Sequence, residues 1–438
     1  MRIAFLTPHV PGHAHPMSSL ARRLKSRGHD VVSIGLPDAA PLVRAAELPF
    51  VAYCEKEYPA GSLREKMGQL SRLQGQDALE FTHRTIAEIL QTEFDRLPQA
   101  LRETGVEALV LDGVQIELGL VPMHLDMPYV HVSNSLHYDF SGHTPLFAFD
   151  WPHETTPEAF ARNKDAVRSF LQLLERNRSI GRAYAEEVGL DFDCNDPLAG
   201  ISRLAWLTQT PKEFDFPSSH LPPQFHHTGP FHDGSGRNDP DFPWDRLTGE
   251  PVIYASMGTL QNGLEGVFST IAQAVGERAG MQLVLSIGPV LDPQQIKSLP
   301  ASAIVVNHAP QIELLKRSAL CITHAGLNTT LEALTQGVPL VAIPVTNDQP
   351  GVAARIAYTK TGTFVPLKEL TVSRLTLLID EVLQNPEYRD NANRLRQVIA
   401  NTKGVEKAVD LLEEALGLVS IADRGRPSSR VTRCHLVA

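Results

Sequence analysis

Short runs of β-branched and aliphatic residues alternate along the chain with longer segments whose apolar positions recur at helical spacing, the pattern of parallel strands joined by crossover helices. Residues 2–7 read as a first strand, followed by a loop and a helix with Met17, Leu20, Ala21 and Leu24 on one face, stopped by Gly28. Further strands are predicted at 31–35, 50–53, 108–111 and 129–132, with closing strands at 204–207 and 226–228. Residues 135–200 are less regular and hold Phe140, Phe147, Phe149, Trp151, Phe160 and Phe170, a density of aromatics that the rest of the chain lacks.

From 229 to 250 Pro, Gly, Asp and Asn dominate and no period holds, which marks a linker. The alternation then resumes, with strands at 252–256, 283–286, 304–306, 320–323 and 340–343 and helices at 264–279, 312–316 and 328–336. The expected fold is α/β: two facing doubly wound, Rossmann-like domains with ligands in a cleft beyond the carboxyl ends of the strands. The division is 1–230 for the first domain, 231–250 for the linker and 251–418 for the second domain, whose last helices are in a position to pack back on the first. Residues 419–438, rich in Arg and Ser, are expected to be a disordered tail.

A length of 438 residues exceeds what one core usually organises, in keeping with two domains. A formal net charge of −10 argues against broad attraction to nucleic acid, so any phosphate must be held locally. Cys54, Cys194, Cys321 and Cys434 show no CxxC pair, which fits unpaired thiols in a reducing compartment and makes the cytoplasm the expected location. The first residues carry one basic side chain and a short apolar run broken by Pro8, so no secretory signal is expected there. No stretch approaches the ~20 apolar residues of a membrane span, so any membrane contact must be peripheral.

The densest chemistry lies at 308–349. The strand at 320–323 leads into His324, a turn at Ala325-Gly326 and a helix with Asn328, Thr329 and Thr330 in its first turn. Free N–H groups and the helix dipole there favour an anion, and a diphosphate fits. Glu332, about one turn on, is placed for a ribose diol, and Asp348 and Gln349 suit sugar hydroxyls. Gly258 and Thr259 supply a second strand-to-helix turn at the same edge. Singly, each residue reads as well as a cap, a first-turn carboxylate or a helix stop. Their order and spacing together favour the site.

His308-Ala309-Pro310-Gln311, His324, Gly326, Asn328, Thr329, Glu332, Gly337-Val338-Pro339 and Asp348-Gln349 together resemble the signature of the family-1 UDP-glycosyltransferases, within it the bacterial branch similar to zeaxanthin and macrolide glucosyltransferases. The resemblance implies a GT-B fold, with an acceptor-binding first domain and a nucleotide-sugar-binding second one. It implies that the His308 ring stacks on uracil and that Ala309 bonds the base through its backbone, with Gln311 beside them. Thr259, His324, Asn328 and Thr329 would then hold the phosphates, with Gly258 and Gly326 in the turns. Glu332 would hold the ribose, while Asp348 and Gln349 read the sugar. His308 stands where the family usually has Trp, and Leu327 where plant members do.

Transfer of a sugar to an alcohol needs a base, worth ~10²–10⁴ in rate, and histidine suits the task near neutral pH. The loop after the first strand offers His9, His13 and His15, and the resemblance puts the base at His13. Asp112, ending the strand at 108–111, is its expected partner, on the logic of a carboxylate that orients an imidazole. Without the resemblance, His13 reads equally as a loop residue and Asp112 as a helix cap. No third ligand accompanies the HxH pair, and the DxD triplets at 191–193 and 239–241 lie in loops, so no metal and no cofactor beyond the UDP-sugar is expected. Asn134, Phe140, Phe147, Phe149 and Trp151 are the expected acceptor residues, some of them core. The expected activity is inverting transfer of glucose from UDP-glucose to a hydroxyl of a lipophilic small molecule of carotenoid, terpenoid or polyketide type, giving a β-glycoside. The rivals are a UDP-sugar epimerase or isomerase on the same scaffold and a non-catalytic, transferase-like partner protein.

Overall fold

The structure is a computed structural model and describes residues 1–418 apart from 233, 235–239, 260–262, 277 and 279. The expected tail at 419–438 lies outside the described residues.

Among the described residues the strands form two parallel sheets. The first contains β1 (Arg2–Leu6), β2 (Asp30–Gly35), β3 (Phe50–Ala52), β4 (Ala108–Asp112), β5 (Tyr129–Ser133), β6 (Trp206–Thr208) and β7 (Phe225–His227), in the order β3-β2-β1-β4-β5-β6-β7. The second contains β8 (Val252–Ser256), β9 (Gln282–Ser286), β10 (Ile304–Val306), β11 (Ser318–Thr323), β12 (Leu340–Ala342) and β13 (Gly362–Phe364), in the order β10-β9-β8-β11-β12-β13. The central strands β4, β5 and β8 are buried along their whole length, as parallel strands covered on both faces must be. Strand order reverses between β1 and β4 in one sheet and between β8 and β11 in the other. These switch points open the crevices in which such sheets bind ligands.

The covering helices of the first lobe are α1 (Pro11–Ser26), α2 (Ala40–Ala45), α3 (Arg64–Leu70), α4 (Gly75–Thr104), α5 (Leu120–His124), α6 (Pro157–Leu173) and α7 (Glu175–Val188). The second lobe adds α8 (Glu265–Gly276), α9 (Gln311–Leu315), α10 (Leu327–Thr335), α11 (Gln349–Tyr358), α12 (Val372–Gln384) and α13 (Pro386–Thr402). The helix α14 (Gly404–Ala415) belongs in space to the first lobe. Its Ala408, Val409 and Leu412 share a core with Met17, Leu20 and Leu24 of α1, and Glu406, Asp410 and Glu413 ring that contact with ion pairs to Arg27. The chain therefore crosses between lobes twice, once through the segment at 231–250 and once just before α14.

Three elements differ from expectation. The region 135–200 contains two helices: Thr156 caps α6 by accepting from the Ala159 N–H, Pro157 opens it, and Tyr184 of α7 stacks on Phe94 of α4 at 4.2 Å. The three-residue edge strand β13 is too short to carry a period. The segment at 231–250, expected as a linker, buries Phe231 and Phe242 and contains a helical turn at Trp244–Arg246. Among the described residues no helix is long and apolar enough to cross a membrane.

Candidate active site

Where β1 ends, Pro11 opens α1 and places His13 in its first turn. Where β4 ends, Asp112 is completely buried, and its Oδ2 lies 2.8 Å from His13 Nδ1. The same carboxylate accepts from Asn134 Nδ2 at 2.7 Å and, through Oδ1, from the Val114 N–H at 3.0 Å. Burial pushes the Asp112 carboxyl up, but the His13 charge and these donors outweigh it and hold it below the usual range. Burial pushes His13 down, and Asp112, helped by Asp348, carries it above its ordinary value. With Nδ1–H committed to Asp112, Nε2 is the nitrogen that can take a proton. Burial instead lowers the neighbouring His9 to about 4.

The facing edge is built from the ends of β8 and β11. His324 lies between two glycines: a Cβ on Gly258 would come within 2.4 Å of its Nε2, and one on Gly326 within 2.3 Å. Gly258 also has φ +74°, a conformation that glycine adopts without strain. Burial pushes His324 down to about 4, so its imidazole is neutral near pH ~7. The helix α10 starts after Gly326, which brings no side chain to cap it, so its first N–H groups are available to an anion. One turn in, buried Glu332 accepts from Gln311 Nε2 at 2.6 Å, while Tyr254 OH donates to Gln311 Oε1 at 3.0 Å. This relay fixes the carboxylate.

The lobes touch at the reacting edge. Asn328 Nδ2 donates to the carbonyl of Gly12, next to His13, at 2.7 Å, and Asn328 Oδ1 accepts from Gln209 Nε2 at 2.8 Å. The side chain expected at the phosphates is thus engaged at both ends across the cleft, which leaves the backbone N–H of Asn328 for an anion. Asp348 Oδ2 accepts from the Leu136 N–H at 3.1 Å. Gln349 turns its carbonyl oxygen back to the N–H groups of Val345 and Thr346, at 2.8 and 3.1 Å. Burial pushes the Asp348 carboxyl up, and it lies close enough to His13 for their charges to interact.

One cavity of about 440 Å³ runs between the lobes. His13 lines it, as do Gly258, Thr259, His308, Ala309, Gln311, His324, Gly326, Asn328, Thr329, Glu332, Asp348 and Gln349; Asp112 lies just behind His13. Of the expected acceptor residues, Asn134 and Phe147 line it, and Asn134 also holds Asp112. Phe140, Phe149 and Trp151 do not reach it. Phe140 packs on Tyr138 and Phe170, while Phe149 stacks on Trp151 at 4.1 Å beneath the Arg162 guanidinium, so these three serve packing.

The apolar wall comes instead from α3 and α4, with Met67, Leu70, Leu79, Phe81, Ile86 and Ile89 on the cavity, and Tyr53 and Glu93 beyond them. The recurrence of Leu79, Ile86, Ile89 and Glu93 at helical spacing was a legible sign of one face. Nothing local marked that face as a binding wall rather than core. Among the described residues no group of three or more His, Cys, Asp or Glu side chains is arranged to hold a metal ion.

Two parallel-sheet lobes, a histidine–aspartate pair on one, and an uncapped helix start with a fixed carboxylate on the other define a GT-B glycosyltransferase. The sequence profile of the family described as "UDP-glucoronosyl and UDP-glucosyl transferase" matches residues 170–412, over half of the chain, and the protein belongs to that family. It is 27% identical over 420 residues to a zeaxanthin glucosyltransferase of Pantoea ananas, covering 94% of this chain and 95% of the relative. It is 25% identical over 425 residues to the 4'-demethylrebeccamycin synthase of Lentzea aerocolonigenes, covering 94% and 99%. Among solved structures, the glycosyltransferase of kitacinnamycin superposes with a TM-score of 0.72 at 23% identity, covering 95% of this chain and 99% of that one. A calicheamicin glycosyltransferase does so with 0.69 at 22%, covering 97% and 99%. These two likenesses establish the shared fold.

Proposed function

We propose that this enzyme transfers glucose from UDP-glucose to a hydroxyl group of a lipophilic small molecule, with inversion, to give a β-glycoside. The observation that carries the proposal is the His13–Asp112 pair facing the start of α10 across one cavity, with Gly12 bonded directly to Asn328. In this reading the second lobe holds the donor: the His308 ring lies against the base, Glu332 takes the ribose diol, and the diphosphate rests on the N–H groups opening α10. The sugar lies between Asp348 and His13, with Gln349 alongside.

His13 Nε2 removes the acceptor proton as the acceptor oxygen attacks the anomeric carbon. The bond from that carbon to the diphosphate oxygen breaks on the opposite face, and UDP leaves with the electron pair. Asp112 stabilises the imidazolium, a role suited to a carboxylate that already holds Nδ1. Negative charge growing on the leaving diphosphate meets the α10 N–H groups, Thr259 and Thr329 hydroxyls and the neutral His324 ring, donors aimed at the transition state. On this account no divalent ion is needed to offset that charge.

The apolar wall of α3 and α4 favours a lipophilic acceptor, and the relatives named for zeaxanthin and rebeccamycin support a natural-product acceptor. The experiment is incubation with a panel of UDP-sugars and apolar alcohols, followed by product mass. The expected result is a hexose added to the alcohol from UDP-glucose in preference to other donors. UDP-sugar interconversion without any alcohol would overturn the reading.

A further inference from the structure

The cavity contains an acid that the transfer chemistry does not use. Glu93, buried on α4, lines the first-lobe side of the cavity and is held by two uncharged groups: Tyr53 OH donates to its Oε1 at 2.5 Å, and Gln115 Nε2 to its Oε2 at 3.4 Å. Gln115 and Tyr53 line the same cavity. Gln115 belongs to the turn that follows Asp112, its N–H bonding the Asp112 carbonyl at 3.2 Å, so this polar group is built on the same strand end as the base's partner.

A carboxylate offers about four acceptor positions, and Tyr53 and Gln115 occupy only two. Leaving a buried carboxyl in an otherwise apolar wall without a compensating cation is costly. A tie between β3 and α4 could be made by a neutral side chain. An acid there is retained at less cost if the bound molecule completes its hydrogen bonds.

We propose that Glu93, with Tyr53 and Gln115, is a recognition site for a second hydrogen-bond-donating group on the acceptor, a hydroxyl or an ammonium, apart from the hydroxyl that receives the sugar. The inference rests on the reading that the first lobe holds the acceptor. It narrows the substrate class to lipophilic alcohols carrying at least one further donor. Burial raises Glu93 to about 7, so near neutral pH it can accept from an ammonium as a carboxylate, or exchange hydrogen bonds with a hydroxyl in either form.

The test uses three chain molecules with equal numbers of heavy atoms: α,ω-decanediol, the matching ω-amino-decanol, and undecanol, which lacks the second donor. Their binding to the full chain with UDP present is measured by calorimetry, and sugar transfer to each is measured separately. The wild-type protein is expected to bind the diol or the amino-alcohol roughly 10- to 100-fold more tightly than undecanol, the range for a hydrogen bond to a charged group. In Glu93→Leu the three converge to within about twofold. Glu93→Gln, which keeps the shape and a hydrogen-bonding end, retains the diol preference and loses that for the amine. A gain confined to the diol or to the amino-alcohol names the donor. Equal binding of all three by the wild type, absence of binding, or a preference that survives Glu93→Leu overturns the proposal. Preferential binding without transfer would leave this site standing and count against the proposed reaction; transfer without preference does the reverse.

Discussion

Replacing Asp112 by Asn tests the assignment of the base, because the carboxylate has three donors and an amide cannot satisfy them. Oδ1 accepts from the Val114 N–H, and Oδ2 from both His13 Nδ1 and Asn134 Nδ2. An Asn keeping its oxygen toward Val114 turns its NH2 group on two other donors. His13 must then accept at Nδ1 and carry its proton on Nε2, the nitrogen meant to receive one. Removing one member of a buried, hydrogen-bonded charge pair costs about 3–5 kcal/mol; if that loss falls on the transition state, kcat drops by roughly 10²–10⁴, at ~1.36 kcal/mol per tenfold.

The pH profile gives an independent readout. Against the downward push of burial, Asp112 holds His13 above its ordinary 6.5, so the base is lost as pH falls through that raised value, and kcat/KM declines on the acid side. Without the carboxylate the acid limb moves to lower pH while the plateau falls. Steady-state UDP release, measured from about pH 5.5 to 9 across the titration range of histidine, reads both effects. An Asp112→Asn enzyme that keeps more than about a tenth of wild-type kcat, or whose acid limb does not move, would refute the assignment.

Gly326→Ala forces a methyl group to within 2.3 Å of the His324 ring; at about 1–3 kcal/mol for overpacking, Kd for UDP should rise roughly tenfold by calorimetry, and an unchanged Kd would count against the packed-ring geometry. Arg355 Nε donates to Asp215 Oδ1 at 2.7 Å between the lobes, so Arg355→Met should destabilise the fold by about 3–5 kcal/mol in urea titrations. Burial pushes Asp215 up but Arg355, with His137 and His227, holds it below the usual carboxylate range; its contribution is complete above the unfolded value of ~3.9 and is lost as pH falls through the lower folded one. In Arg355→Met the acid-side loss should therefore begin at higher pH, and coincident pH–stability curves would contradict this. Transfer measured after exhaustive dialysis against EDTA should proceed at the untreated rate, whereas a loss restored by a divalent ion would remove the α10 N–H groups as sufficient support for the diphosphate.

The sequence made the second lobe more legible than the first. From His308 to Gln349 the residues expected to hold the donor sit within one or two residues of a strand end or helix start, apart from Glu332 one turn into α10, so their positions follow from local pattern, and all of them line the cavity. Asp112 was readable as the end of β4, while His13 was singled out from His9 and His15 by the family resemblance and sits in the first turn of α1. The apolar wall of the cavity was not legible. Its residues come from one face of the long helix α4 and from α3, and in an amphipathic helix the stripe facing a cavity looks like the stripe facing a core. Aromatic density marks Phe140, Phe149 and Trp151, but Phe140 packs on Tyr138 and Phe149 on Trp151. The engagement of Asn328 with Gly12 and Gln209 links residues more than a hundred positions apart, and no local signal carries it. The last helices were expected in a position to pack back on the first domain, and α14 shares a core with α1 there.

The central claim is that His13 drives displacement at the anomeric carbon from the face opposite the diphosphate. Proton NMR of the glycoside formed from UDP-glucose, compared between wild type and His13→Ala at equal enzyme, tests it most directly. The account predicts a β-anomeric product from the wild type and a product yield lower by at least ~10² with the variant. An α-linked product, or a His13→Ala enzyme that forms glycoside at the wild-type rate, would contradict it.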